Sequence, residues 1–215
     1  MRFLSHTSLL LAASALAFGS GITLVSPTDP GYAVYQQTAQ NPCVIGDNPC
    51  GPKEPIPYTP IDGGGNTTSY DVYSPAYTVG QLTTLLNSSY FILGLDLNNN
   101  NDPQSIQLVS MEVDKNDGSG YMEVLSWSGD RSFLATNNGS GFSDLLFMTF
   151  SLAGYDSTDS VKFHLMMNPV NPGAESLFLI ATNSDGIGEN AVPEPSTAML
   201  LGGALVGLAI YRRRK

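Results

Sequence analysis

Oxygen-bearing side chains recur at alternate positions in Asp96-Leu-Asn98-Asn-Asn100-Asn-Asp102, and alternate side chains of an extended segment point the same way. Asp96, Asn98, Asn100 and Asp102 are therefore candidate ligands for a hard cation, calcium above all. An EF-hand is excluded, because its sixth and twelfth positions need Gly and Glu and are Asn101 and Gln107 here. The competing reading is a polar hairpin turn, where Asn tolerates left-handed backbone. Asp114-Lys-Asn116-Asp117-Gly118-Ser-Gly120 poses the same choice. Calcium apart, no cofactor is expected. Cys43 and Cys50 are the two cysteines. A disulfide between them would close a short loop worth roughly 2.5 kcal/mol in the chain-entropy picture. Free thiols are the alternative, and a metal site would need further thiols or histidines nearby, which the sequence lacks.

Catalysis finds little to work with, and no enzymatic activity is expected. Beyond the first residues the one histidine is His164, so a Ser-His-Asp relay would have to use it. It lies in an alternating apolar–polar run, which reads as a solvent-facing or sheet-surface position. There is no Gly-x-Ser-x-Gly strip, phosphate loop or dinucleotide motif. Carboxylates are many, but nothing singles out a glycosidase pair. Tyr70, Tyr73, Tyr77, Tyr90, Tyr121 and Trp127 are candidates for a sugar-stacking platform, or for ordinary half-buried packing in strands.

These residues hang on a strand–turn–strand pattern. Phe91, Leu93, Leu95 and Leu97 share one face of an extended run. Residues 106–113 form a second strand, with Leu108-Val109 breaking the alternation as a bulge does. Residues 121–127 form a third, and Leu146, Met148, Phe150 and Leu152 mark a fourth. Val161, Phe163, Leu165 and Met167 oppose Lys162, His164 and Asn168 in a fifth, and residues 177–181 form a sixth. Turn-formers divide them at 98–103, 116–120, 137–141 and 171–173. One helix is expected at Val79–Leu86, with Leu82, Leu85 and Leu86 on one face. Many short strands without intervening helices predict an all-β, antiparallel β-sandwich or jelly-roll-like ectodomain over residues 70–185. Residues 22–69 carry prolines at 27, 30, 42, 49, 52, 55, 57 and 60 and a Gly63-Gly64-Gly65 joint. They read as an irregular arm pinned by the Cys43–Cys50 loop.

Both ends of the 215-residue chain look like targeting devices. Residues 1–21 have a basic Arg2, an apolar stretch and the small-x-small site Ala15-Leu16-Ala17, the order of a secretory signal peptide. After a linker at 186–191, residues 192–215 run Val192-Pro193-Glu194-Pro195-Ser196-Thr197, a stretch of ~15 nearly all apolar residues, then Arg212, Arg213, Arg214 and Lys215. The prolines hold the strip extended, as a peptidase cleft requires. As a helix the apolar stretch would reach ~22 Å, short for a bilayer but workable with thinning and snorkelling flanks. The bases stay on the cytoplasmic side, so the ectodomain lies outside. Between the two ends eighteen acids face four bases, Lys53, Lys115, Arg131 and Lys162. Such a domain repels nucleic acid and anionic lipid, leaving cations, neutral glycans or proteins as partners.

Val-Pro-Glu-Pro, a Gly-rich apolar helix and a basic terminus in this order resemble the PEP-CTERM sorting signal. The resemblance covers the last ~24 residues. It implies recognition by an exosortase, a membrane-embedded cysteine transpeptidase. It also implies an inner-membrane-anchored precursor that is then released or transferred to the cell envelope or extracellular matrix. A plain membrane anchor leaves the Pro-Glu-Pro strip unexplained. A sortase strip is absent, and a GPI signal ends in apolar residues, not bases. The reading that follows is an exported surface or extracellular-matrix protein with a structural or adhesive role. Its alternatives are a carbohydrate-binding module of the exopolysaccharide matrix and, further off, a secreted hydrolase.

Overall fold

The computed structural model describes residues 22–29, 32–46, 50, 55–61, 69–98, 103–136, 141–168, 175–183 and 191–192. In chain order the elements are β1 (Thr23–Val25), β2 (Val34–Tyr35), β3 (Cys43–Gly46), β4 (Thr59–Pro60), β5 (Tyr70–Tyr73), β6 (Tyr77–Thr78) and α1 (Val79–Leu86). They continue with β7 (Tyr90–Asp96), β8 (Gln104–Asp114), β9 (Met122–Phe133), β10 (Leu145–Ser151), β11 (Ser160–Met167), β12 (Ser176–Thr182) and β13 (Ala191–Val192). A six-stranded sheet has the order β1-β10-β7-β12-β3-β4, and a five-stranded one has β5-β11-β8-β9 with β6 also against β11. Apart from the parallel β3–β4 pair, all these pairings are antiparallel. The two sheets pack face to face in a sandwich.

Alternation explains the core. Phe91, Leu93 and Leu95 of β7, Phe147 of β10, and Leu177 and Leu179 of β12 meet Val109 and Met111 of β8 and Phe163 and Leu165 of β11 in one apolar cluster. The Phe91 ring stacks on Phe150 at 5.1 Å and meets Phe163 edge-on at 5.8 Å, tying the sheets together. On β7 and β12 the other face is buried too. Ile92, Phe178 and Ile180 pack with Leu146 and Tyr35 in a second cluster, flanked by Val25, Tyr32, Ala33 and Met148. Hence both strands read as nearly continuous apolar runs rather than alternating ones. The bulge expected at Leu108 is present as a register shift of β8 between Ile106 and Leu108 against β9. Helix α1 begins at a capping box: Gln81 N–H donates to Thr78 Oγ1, and Thr78 N–H to Gln81 Oε1. Its buried face is Leu82 and Leu86, as expected, together with Val79 one turn before Leu82, while Leu85 is half-exposed.

The irregular arm expected at 22–69 is corrected by the structure. Its described parts supply β1 at one edge of the six-stranded sheet, β3 and β4 at the other, and β2 over the outer face. The sandwich therefore starts near Ile22, not at residue 70. Proline did not prevent this, because it sits where no ladder N–H is needed. Pro42 precedes β3 and accepts the Leu179 N–H through its carbonyl, while Pro60 lies on an edge strand. Ala191, expected in a linker, lies in a strand as well. Cys43 and Cys50 are joined in a disulfide that folds against Gly46. A Cβ at Gly46 would fall 2.3 Å and 2.8 Å from the two sulfurs, so only glycine fits there.

Gly94 makes the double burial of β7 testable, since a Cβ there would lie 2.6 Å from the Phe178 ring. Gly94→Ala is expected to lose about 1–3 kcal/mol by overpacking. Phe91→Ala is expected to lose about 3–5 kcal/mol by leaving a cavity. Both are read from the urea midpoint at unchanged slope.

Candidate functional site

Three places gather the chemistry-bearing residues. The first is an acidic end of the sandwich. Asp96 closes β7, and Asp144 precedes β10 one step beyond the Leu145–Leu95 pair, so the two carboxylates are cross-strand neighbours. Asp144 is saturated with donors: Oδ2 accepts from Leu97 N at 2.8 Å, and Oδ1 accepts from the Thr136 hydroxyl and amide. Asp96, 2 % exposed, accepts from Gly141 N at 2.9 Å through Oδ2, while its Oδ1 meets no donor among the described residues. Fully buried Glu175 accepts from the Gln104 amide across the sheets. Burial first, then the Asp144 charge, pushes the Asp96 pKa up to about 8, with Glu175 adding to the rise and the Gly141 N–H opposing it. At neutral pH Asp96 therefore keeps a proton, and Oδ1 is the oxygen with room for it.

Of the candidate calcium ligands, Asp96 turns under Gly141 and beside Asp144, Asn98 is half-buried, and Asn100 and Asp102 lie outside the described residues. Among the described residues no group of three His, Cys, Asp or Glu side chains is placed to hold a metal ion. In the second acidic loop the carboxylates serve the turn. Asp114 Oδ1 accepts from Asn116 N and Asp117 Oδ1 from Ser119 N, with Asn116, Gly118 and Gly120 at positive φ. The hydrogen bonds from Ser119 hold the Asp117 pKa below the usual carboxylate range.

The second place is the outer face of the five-stranded sheet. His164 is not solvent-facing: it is 6 % exposed, its Nε2 lies 2.7 Å from Asp71 Oδ1, and the Tyr73 ring stacks on it at 3.9 Å. A ring on the neighbouring strand covers it, which strand periodicity does not reveal. Ser110 faces His164 in the β8–β11 register, so the residue types of a relay stand in one row. The geometry does not make one. Ser110 Oγ is buried without a hydrogen-bond partner among the described residues, and the imidazole lies under Tyr73. The backbone N–H groups of a mid-sheet row are committed to the ladders, leaving no donors for an oxyanion. The aromatic platform is also divided. Tyr70 and Tyr77 are buried, Tyr90, Tyr121 and Trp127 half-buried, and Tyr73 is 43 % exposed. Trp127 packs edge-on to Phe147, and Lys162 Nζ sits 4.0 Å over Tyr121. An open groove of about 620 Å³ beside α1, lined by Ile56, Thr78, Gln81, Leu85 and Ser157, offers no titratable group.

The third place is the C-terminal strip. β13 pairs antiparallel with β2, Ala191 opposite Tyr35 and Val192 opposite Val34. Pro193, Glu194, Pro195 and the basic tail Arg212–Lys215 lie outside the described residues. Residues 191–215 match the PEP-CTERM protein-sorting motif. No curated protein and no solved structure matches the chain. The chain thus carries at its C-terminus the sorting signal of exosortase substrates, which implies export and sorting to the cell surface.

The Asp96 pair generates a pH dependence with a definite sign. Its folded pKa of about 8 lies above the unfolded 3.8, so folding takes up a proton between those values. Stability from this group is full below the unfolded pKa and is lost as pH rises to about 8. Thermal unfolding from pH 5 to 8.5 is expected to show wild type losing up to about 1.4 kcal/mol per pH unit relative to Asp96→Asn. Parallel profiles for the two proteins would contradict it.

Proposed function

We propose that this chain is a structural or adhesive protein of the cell envelope or extracellular matrix, delivered there through its C-terminal signal and doing no chemistry of its own. The motif at 191–215 carries the reading. The body supports it. Asp96, Asp114, Asp117 and Asp144 accept from backbone amides, and its histidine is packed beneath a tyrosine. Eighteen acids against four bases favour neutral or cationic matrix polymers, exopolysaccharide among them, over nucleic acid or anionic lipid.

Processing is the step to test. Replacing Pro193, Glu194 and Pro195 by alanine is expected to leave full-length precursor in the membrane fraction and to deplete the mature form at the surface. The readout is immunoblotting of fractionated cells. Maturation at the wild-type rate would overturn the reading.

A further inference from the structure

The first residues of the sorting segment are already engaged. β2, the strand that receives β13, is firmly held: Tyr35 is buried against Ile92, Leu146, Phe178 and Ile180. Tyr35 N–H donates to Ser143 Oγ at 3.0 Å, and Ser143 N–H to the Tyr35 carbonyl at 2.9 Å. The Tyr32 hydroxyl donates to the Ser143 carbonyl. With Tyr35's backbone groups turned to Ser143, those of Val34 face the opposite edge, where Val192 pairs with it. The next residue, Pro193, has no N–H to offer a ladder.

A peptide strip bound in a cleft presents its own backbone to the enzyme. Val192 cannot pair with Val34 and lie in such a cleft at once. We propose that β2 is a docking strand for the start of the sorting segment, and that β13 must leave it before the processing enzyme captures the strip. The folded body thereby holds back its own maturation. A two-residue ladder suits that role, being weak enough to open and strong enough to compete. This rests on the sorting reading and adds the body as its regulator.

Two variants of the full-length precursor test the gate in membranes that contain the processing enzyme. Val34→Pro removes the amide that β2 offers, and processing is expected to quicken about threefold or more, the loss of roughly one backbone hydrogen bond. Circular dichroism checks that the body stays folded. Val34→Cys with Val192→Cys is the second. Oxidised, the pair is expected to block processing, and mild reductant to return it to the rate of Val192→Cys alone, which measures what the sorting strip itself loses by that change, the buried Cys43–Cys50 bridge staying closed. Equal rates for the oxidised and reduced forms would overturn the proposal, as would failure of the new cysteines to join in the folded precursor. A folded Val34→Pro precursor processed no faster would overturn it too. The alanine variant of residues 193–195, run alongside, separates the two claims. If it matures normally the sorting reading falls, and if it is blocked while the lock has no effect, only the gate falls.

Discussion

The structure depends on β7 and β12 being apolar on both faces. Facing the five-stranded sheet, Phe91, Leu93, Leu177 and Leu179 bury as in any sandwich. On the other side Ile92, Phe178 and Ile180 would lie open to water without a cover. Several buried aliphatic and aromatic side chains, each worth about 1.5–3 kcal/mol, make that exposure untenable. The cover comes from Tyr32, Ala33 and Tyr35, with Val25 of the edge strand beside them. Gly94 lets the cover and its ring neighbours approach, because Phe178 occupies the space a side chain would need. So the N-terminal stretch belongs to the core as much as the long strands do, and its free edge is where β13 pairs.

The acidic end follows from the same closeness. Where β7 finishes and β10 begins, Asp96 and Asp144 are brought side by side away from water. Three hydrogen bonds reach Asp144. Asp96 receives one, so the two cannot both be charged at little cost, and a retained proton resolves the conflict. Their acceptor oxygens fasten Thr136 and Gly141, the two sides of the β9–β10 connection, to the sheet. Charge that looks like a ligand set in sequence is used to pin loops.

The regular part of the fold was legible because its signals are local. The alternation of Val161, Phe163, Leu165 and Met167, the run from Phe91 to Leu97, and the Thr78 and Gln81 spacing each announce an element without knowledge of its partner. What was hidden depends on partners distant in sequence. β2 and β13 are two residues each, too short for any period, and β3 and β4 sit among prolines that read as irregular chain. Asp96 stood out through its neighbours in sequence, whereas its neighbours in space are Asp144, Gly141 and Glu175. His164 looked like a surface residue because the ring that covers it, Tyr73, belongs to another strand. The C-terminal signal was legible for the opposite reason: its order of proline strip, apolar stretch and bases is linear.

That contrast bears on how the body and its signal are joined. β2 comes early in the sequence and β13 late. Their pairing is two residues long and joins the two most widely separated strands among the described residues that pair with each other. A ladder that short has little to hold it against local opening. The core on either side does not share that weakness, because Tyr35 is held from beneath by apolar packing and from one edge by Ser143. Opening the β13 edge leaves the cover of β7 in place, so the chain can surrender its C-terminal segment without surrendering its fold.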